Sequence, residues 1–224
     1  MVGKLIDIQR HRELFDAEQF NTPITIIGTG ATGSWVALYL AKLGLTDVTM
    51  YDFDIIEGHN IANQAFGRDD IGYNKALIMA DNIHRDTGAV LNPKGERYKT
   101  QRLRGIVFLM VDSMRERKRI WEESIKLNSN VTLLIEPRMG LSMGRVYSVN
   151  PTNTTQIKRY EETYYSDDTS EVSACGTSVS VITSATMIAS MCVRQLINHA
   201  NQLELDNEIL VDMQYWNFSN TIWK

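Results

Sequence analysis

The stretch from Ile24 to Gly33, which reads ITIIGTGATG, is the feature that most constrains the fold of this chain. A short apolar run leads into a glycine-rich turn, and a helical pattern follows, so the order predicts a strand, a tight turn and a helix. We expect Gly28 to permit the turn, Gly30 to let a phosphate approach the backbone, and Gly33 to let the helix pack closely on the strand. The N-terminus of that helix would offer N–H groups and a positive dipole end to an anion.

Strand and helix patterns alternate through the first two thirds of the chain. The predicted strands cover 24–27, 48–52, 106–111, 131–135 and 146–149, and the predicted helices cover 34–43, 74–85 and 115–127. This alternation predicts an α/β, Rossmann-like fold with a mostly parallel sheet and helices on both faces. Later segments predict a long helix over 173–199 and terminal strands over 209–223.

The chain of 224 residues predicts one main domain with a short N-terminal extension. We expect an N-terminal helical arm over 1–22 and a single domain over 23–224. The polar stretch near 150–172 interrupts the alternation and predicts a long loop, which is often functional in a compact domain.

Composition and charge exclude several classes of protein. The formal net charge of -4 and the isoelectric point near 5.6 argue against a nucleic-acid surface. No apolar run reaches the roughly 20 residues that a membrane span needs. Charged residues occupy the start of the chain, where a signal peptide would be apolar, so we expect a cytoplasmic protein. The two cysteines form no Cys-x-x-Cys pair, which argues against structural zinc.

Acidic side chains follow two of the predicted strands. Asp52 and Asp54 come after the second strand, and Asp112 follows the apolar run at 106–111. Ligands of open parallel sheets bind beyond the carboxyl ends of the strands, so these acids are expected to share one site. The alternative for Asp112 is that it only caps the next helix.

Four sequence blocks in a fixed order carry a resemblance to a known family. They read GTGATGS from Gly28, DFDIIEGHNIANQ from Asp52, GYNKA from Gly72 and VDSMRER from Val111. In this order the chain resembles the ThiF/MoeB/HesA branch of the ubiquitin-activating-enzyme superfamily. The resemblance implies an adenylyltransferase that binds ATP and Mg²⁺. Its substrate would be the C-terminal carboxylate of a small ubiquitin-like or sulfur-carrier protein, or of a peptide.

The resemblance also implies roles for individual residues. Asp52 would hold the ribose hydroxyls, Lys75 would neutralise phosphate charge, and Asp112 would hold Mg²⁺. Arg117 matches a helical arginine that braces the Asp112 loop. The alternative for Lys75 is a solvated lysine on a helix. The remaining nucleotide contacts fall on the glycines and on polar residues of the second block, namely Gly28, Gly30, Gly33, Asp54, Asn60 and Gln64.

Two further features bear on activity. The family has an arginine where this chain has Asn63, so one phosphate-binding cation is missing unless Arg68 reaches the same region. In related homodimers an arginine near the N-terminus enters the partner's site, and Arg10 and Arg12 are the candidates here. The alternative is that both are ordinary surface arginines.

Cys175 is a candidate nucleophile for a subsequent acyl transfer. It stands at the predicted start of the helix over 173–199, where the helix dipole lowers the pKa of a thiol. The alternative is a small buried residue that packs this helix on the sheet. Cys192 falls among apolar residues of the same helix and is expected to be a core residue.

Other readings remain open at this point. A nicotinamide- or flavin-dependent oxidoreductase uses the same glycine turn, but it leaves most of the polar residues without a role. A nucleotide-binding but inactive interaction subunit is favoured by Asn63. Arg138 would bind a substrate anion or pair with Glu136. A basic run forms a solvated face or docks an acidic carrier, and its members are Lys94, Arg97, Lys99, Arg102 and Arg104.

Overall fold

The computed structural model of the chain describes residues 6–166 and 180–224. Its strands are β1 (Ile24–Ile27), β2 (Val48–Tyr51), β3 (Asn92–Lys94), β4 (Gly105–Leu109), β5 (Val131–Met139), β6 (Met143–Val149), β7 (Glu208–Asp212) and β8 (Asn217–Thr221). Its α-helices are α1 (Gly33–Lys42), α2 (Lys75–Thr87), α3 (Met114–Ile120), α4 (Thr154–Glu161) and α5 (Ile182–Ala200). No helix in the described part of the chain has the length and apolar character needed to cross a membrane.

The strands form one eight-stranded sheet in the order β3-β2-β1-β4-β5-β6-β7-β8. The pairs from β3 to β5 are parallel, and the pairs from β5 to β8 are antiparallel. The parallel strands are continuous apolar runs such as ITII and GIVFL, which is typical of strands covered on both faces. The predicted mostly parallel, Rossmann-like sheet is therefore confirmed, with an antiparallel extension on one side.

Helices cover both faces of the sheet, as predicted. On one face, apolar side chains of α1, α2 and α5 pack against strand residues such as Ile26 and Met50. On the other face, α3, the π-helical turn Trp121–Ile125 and α4 pack against residues such as Val107 and Leu109. Each helix thus buries one apolar stripe against the sheet, and this burial holds the strand ends in place.

Three of the predicted elements differ from the structure. The described part of the predicted helical arm over 1–22 forms turns at 9–14 and 17–19 rather than a helix, and Phe15 inserts into the core. The predicted loop near 150–172 contains α4, which begins where the Asn153 side chain accepts a hydrogen bond from the Gln156 N–H. The predicted helix over 173–199 is helical from Ile182 within the described residues, since Val181 is extended.

The short strand β3 was not predicted. It spans three residues, and Pro93 at its centre is unfavourable in a strand. Its position at the sheet edge removes the need for a second set of hydrogen bonds, so the proline is tolerated there.

Candidate active site

The glycine turn links β1 to α1 and is tight at two positions. Gly28 has a φ of 96°, and its N–H donates to the carbonyl oxygen of Tyr51 at 2.8 Å. A Cβ on Gly33 would lie 2.0 Å from the carbonyl oxygen of Gly28, so only glycine allows this approach. Gly30 differs, since a Cβ there would meet no atom of the described chain within 4 Å. The turn is therefore closed at its base and open at Gly30.

Asp52 fastens the end of β2 to the glycine turn. Its Oδ2 accepts hydrogen bonds from the N–H and the hydroxyl of Thr29, at 2.6 and 3.0 Å, and its Oδ1 accepts from the Asp54 N–H at 2.9 Å. Burial raises the pKa of Asp52, while the backbone bonds from Asp54 and Thr29 act in the opposite direction. Thr29 was missed by the sequence reasoning, although its place between two glycines was the available signal.

Lys75 begins α2 and is largely buried. Its Nζ lies 3.2 Å from Oδ2 of Asp54, and its N–H donates to the Asp54 carbonyl oxygen at 2.9 Å. The Lys75 side chain is 10% exposed, whereas that of Asp54 is 49% exposed. The alternative of a solvated helix lysine is therefore wrong, and the ammonium group is held at the edge of the sheet by a carboxylate that faces solvent.

Asn60 and Gln64 lie in the polar stretch that follows Asp54. Both are buried, and Asn60 Oδ1 accepts from the Glu57 N–H at 2.9 Å, so this side chain shapes its own short 3-10 helix. Gln64 Oε1 is buried with no hydrogen-bond partner among the described residues. An unpaired buried amide oxygen carries a desolvation cost of about 1–3 kcal/mol. This atom is thus a candidate contact for a ligand hydroxyl or water.

Asn63 has a partner within the protein. Its Nδ2 donates to Oγ of Ser180, and its carbonyl oxygen accepts from Nε1 of Trp35 on α1 at 2.9 Å. Arg68 is exposed, and it lines a cavity of about 280 Å³ together with Asn82 and Arg85 of α2. The Asn63 side chain is therefore bonded to Ser180 and its backbone to α1, in a place where the family pattern has a cation.

Asp112 lies just beyond the carboxyl end of β4 and is exposed. The helix that follows is capped by its neighbour, because Oγ of Ser113 accepts a hydrogen bond from the Glu116 N–H at 3.3 Å. The alternative that Asp112 serves only as a helix cap is therefore wrong. Asp112 lies at the same end of the strands as the glycine turn, since β1 and β4 are parallel neighbours.

Arg117 and Arg138 are buried beside this edge. Arg117 donates to the carbonyl oxygens of Leu109 and Val111 and to the Glu136 carboxylate, so it braces the segment that leads to Asp112. Arg138 pairs with the same Glu136 at 2.9 Å. Of the two alternatives for Arg138, the structure therefore shows the internal ion pair.

The predicted arginine finger residues lie far from the glycine turn of their own chain. Arg10 and Arg12 are exposed, and Arg12 bonds Asp16 and Glu18. Their segment packs at the C-terminal end of α1, where Nε2 of His11 lies 3.4 Å from the Leu43 carbonyl oxygen. The glycine turn is at the other end of this ten-residue helix, which spans about 15 Å. A role in catalysis would therefore require a second copy of the chain.

The structure describes one of the two cysteines. Cys175 lies outside the described residues. Cys192 is fully buried in α5, and burial raises the pKa of its thiol, so the expectation of an inert core residue is confirmed.

A sequence profile decides the family. The profile described as the ThiF family matches residues 6–222, which is almost the whole chain. The chain belongs to the ThiF family. The glycine turn, Asp52, Lys75 and Asp112 of this ThiF chain all lie inside the matched range.

Curated relatives of this ThiF chain match over shorter stretches. It is 36% identical over 63 residues to the tRNA threonylcarbamoyladenosine dehydratase of Escherichia coli K12, which covers 28% of this chain and 24% of the relative. It is 34% identical over 71 residues to the adenylyltransferase and sulfurtransferase MOCS3 of Caenorhabditis briggsae, which covers 31% of this chain and 18% of the relative. The matched stretch thus spans a quarter or less of each of these relatives.

Solved structures share the fold over nearly the whole chain. PaaA superimposes with a TM-score of 0.71 at 15% identity, covering 100% of this chain and 76% of PaaA. E. coli MccB crystallised with ATP gives a TM-score of 0.71 at 15% identity, covering 91% of this chain and 64% of MccB. E. coli MccB crystallised with MccA gives 0.73 at 14% identity, covering 99% and 73%. At these identities the likeness is one of fold.

Proposed function

We propose that this ThiF chain uses ATP to adenylate a carboxylate at the C-terminus of a small carrier protein or peptide. The observation that carries the proposal is the arrangement of one sheet edge. The neighbouring strands β2, β1 and β4 are followed by Asp52, the glycine turn and Asp112, and the Lys75 ammonium group pairs with Asp54, two residues after Asp52. Anion-binding backbone, a cation and an exposed carboxylate therefore meet at the carboxyl ends of parallel strands.

The reaction needs positioning and charge stabilisation. A carboxylate oxygen of the substrate attacks the α-phosphorus of ATP, the bond to the bridging oxygen breaks, and pyrophosphate leaves with its electron pair. The product is an acyl-adenylate. The attacking and leaving groups are both anionic, so preorganised donors and cations lower the barrier without covalent participation of the protein. Lys75 supplies such a cation. Its ion pair with solvent-facing Asp54 keeps the ammonium group at this end of the strands, where a phosphate oxygen could replace the carboxylate.

The glycine turn fits the nucleotide. Gly30 leaves open space where a phosphate approaches, and the α1 N-terminus behind it contributes the positive end of its helix dipole. Asp52 keeps acceptor capacity on Oδ1 for a ribose hydroxyl, while Thr29 holds it in place. Gln64 offers its unpaired Oε1 as an acceptor to a further ligand group. With the amide turned over, the same position would present an N–H donor.

Mg²⁺ fits the edge through Asp112. This ion keeps several waters and is commonly bound by one or two carboxylates together with phosphate oxygens, so one exposed carboxylate suffices. When bound there, it would neutralise charge on the polyphosphate. The described residues contain no group of three or more metal-ligating side chains, which agrees with a shared site rather than an all-protein one.

The proposal also covers the substrate, a second copy of the chain and the acceptor of the acyl group. The structural neighbour MccB has been crystallised with MccA, which supports a small peptide or carrier with a free C-terminus as substrate. We include a homodimer in which Arg10 or Arg12 enters the partner's site. We also include transfer of the acyl group to Cys175. Replacing either arginine by alanine would then lower pyrophosphate release without changing the fold, and Cys175→Ala would keep exchange but lose the covalent adduct.

The test is ATP–pyrophosphate exchange with peptides and small carriers that have free C-termini. Lys75→Ala and Asp112→Ala are each expected to lower exchange by about 100-fold, as the loss of one preorganised charge contact does. Lys42→Ala, at the far exposed end of α1, is the matched control and should behave as wild type.

Other outcomes would redirect the assignment. ATP binding without exchange by any carboxylate substrate would support the inactive subunit. Binding of NAD without ATP would support the oxidoreductase. Exchange stimulated by tRNA but not by peptides would move the substrate class toward that of the E. coli dehydratase.

A further inference from the structure

A buried carboxylate joins two arginines and a tyrosine behind the candidate site. Glu136 on β5 is 0% exposed, and it accepts hydrogen bonds from Nη1 of Arg117, from Nε and Nη2 of Arg138 at 2.9 and 3.0 Å, and from the Tyr160 hydroxyl at 2.6 Å. Glu136 and Arg138 lie on the same face of β5 because side chains alternate along a strand. The cluster therefore connects β5 to α3 and α4.

Such a cluster needs an explanation other than stability. Two guanidinium groups share one carboxylate in the interior, and a buried ion pair is often no more stable than apolar side chains of the same volume. Burial and the Glu136 charge also hold the pKa of Tyr160 well above its usual value, so this hydroxyl keeps its proton and donates to the carboxylate. The arrangement instead fixes where each guanidinium group points.

Arg117 transmits this order to the site. Besides Glu136, its guanidinium group donates to the carbonyl oxygens of Leu109, Val111 and Pro137. Val111 directly precedes Asp112. The Arg117 N–H donates to the Ser113 carbonyl oxygen at 3.0 Å, which is the ordinary bond of the first turn of α3 and does not depend on the side chain. Asp112 is thus exposed itself, yet the carbonyl group of the residue before it is bonded by the guanidinium group that Glu136 holds.

We propose that Glu136 is a positioning residue for Asp112. It orients Arg117, which fixes the carbonyl groups leading to Asp112 and so sets where that carboxylate projects from the sheet edge. The inference rests on the proposed function, in which Asp112 holds Mg²⁺. A glutamine at this position would keep the volume but offer one acceptor oxygen, and its amide N–H groups would face guanidinium donors. The carboxylate is therefore required, and not only a polar side chain of this size.

The experiment measures metal binding rather than turnover. Mn²⁺ binding in the presence of a non-hydrolysable ATP analogue is followed by electron paramagnetic resonance, and binding of the analogue without metal is followed by calorimetry. Glu136→Gln and Arg117→Lys are expected to weaken Mn²⁺ binding by about tenfold, as loss of a residue that orients a metal ligand does. Binding of the metal-free analogue should stay within about twofold of wild type, since these variants leave the nucleotide contacts unchanged.

Arg119→Lys is the matched control, because Arg119 lies on the same helix but bonds Glu116 and Glu123 at the surface. Folded Glu136→Gln protein that binds Mn²⁺ as wild type does would overturn the inference, as would an equal loss in Arg119→Lys. Where Glu136→Gln does not fold, Arg117→Lys decides, since it keeps the charge opposite Glu136. A wild-type protein that binds no analogue contradicts the proposed function itself, whereas analogue binding with intact Mn²⁺ affinity in both variants contradicts only the role of Glu136.

Discussion

The two halves of the sheet differ in how they are covered. In the parallel half, every residue of β1 and β4 is buried, and helices pack on both faces. In the antiparallel half, β8 forms the sheet edge, and all five of its residues are exposed. The comparison separates a buried half, which carries the glycine turn, from an open half that ends in an exposed strand.

The glycine turn and two loops of the antiparallel half lie at the same end of the strands. Because β5 is parallel to β4 while β6 and β7 reverse direction in turn, the tips at 140–142 and 213–216 lie at the edge of the glycine turn. The Met213 N–H donates to the Ser142 carbonyl oxygen at 2.7 Å, which joins the two tips. Exposed apolar side chains gather around them, namely Leu141, Met143, Tyr215, Trp216 and Phe218. This apolar surface therefore lies at the same end of the parallel strands as the glycine turn.

The largest expected effect lies in the buried half, at the glycine turn. Gly33→Ala places a Cβ 2.0 Å from the Gly28 carbonyl oxygen, so we expect a loss of about 3 kcal/mol or more in the free energy of unfolding. Gly30→Ala is the matched control, with a change below about 1 kcal/mol, because no described atom lies within 4 Å of the added carbon. Urea unfolding of both variants measures the difference, and similar midpoints would contradict the tight base of the turn.

A second effect compares two tyrosines on the same face of the sheet. Tyr160→Phe removes the hydrogen bond to buried Glu136, and we expect it to cost about 1–3 kcal/mol because a carboxylate oxygen loses a donor. Tyr147→Phe removes weaker contacts, at 3.2 Å to Glu208 and 3.3 Å to Arg145, and should cost less than about 1 kcal/mol. Equal costs in thermal or urea unfolding would show that the hydrogen bond of Tyr160 to Glu136 contributes no more to stability than the hydrogen bonds of Tyr147 do.

A smaller, pH-dependent effect is expected in α5, which packs on both β5 and β6. Burial lowers the pKa of His199 below 6.5, so the unfolded chain binds a proton more readily than the folded chain. The contribution of His199 to the free energy of unfolding is fully present above pH 6.5 and is lost as the pH falls below that value. His199→Gln should therefore reduce the decline in unfolding free energy between about pH 7 and 5. Parallel declines in the variant and in wild type would exclude this residue as a source.

The smallest effect lies at the tip of the open half. Trp216 is 70% exposed, and Trp216→Ser should change the free energy of unfolding by less than about 0.5 kcal/mol and leave nucleotide binding unchanged. Calorimetric titration with ATP and urea unfolding test both statements. A large loss of stability would show that the tip at Trp216 packs on the rest of the protein, and its contrast with the glycine turn would then fail.

The sequence was most informative where the backbone itself demanded a residue type. The glycine spacing predicted the turn, and the apolar runs predicted the buried parallel strands, because both depend on local geometry. Helix α4 was missed because its residues are mostly polar, although Asn153 with Ile157 and Tyr160 gave a cap and an apolar stripe. The stretch would be recognised by that spacing rather than by its composition.

The charged site was predictable in part. Asp52 and Asp112 were proposed because each follows a predicted strand, and Lys75 because it stands at the start of a predicted helix within a block that carries the family resemblance. The link from Glu136 to Arg117 joins residues 19 positions apart on different elements, and no local pattern reports such a pairing. A charged residue within an otherwise apolar strand was the available signal, since a buried carboxylate requires a partner.

The hydrogen bond between Asn63 and Ser180 has a consequence for the history of the family. It joins side chains 117 positions apart, and the first occupies the place where the family pattern has arginine. An arginine there would bring a larger, charged group to the Ser180 hydroxyl, so the two positions are not free to change independently. Across descendants of a common ancestor, positions 63 and 180 should covary, with asparagine and serine inherited together.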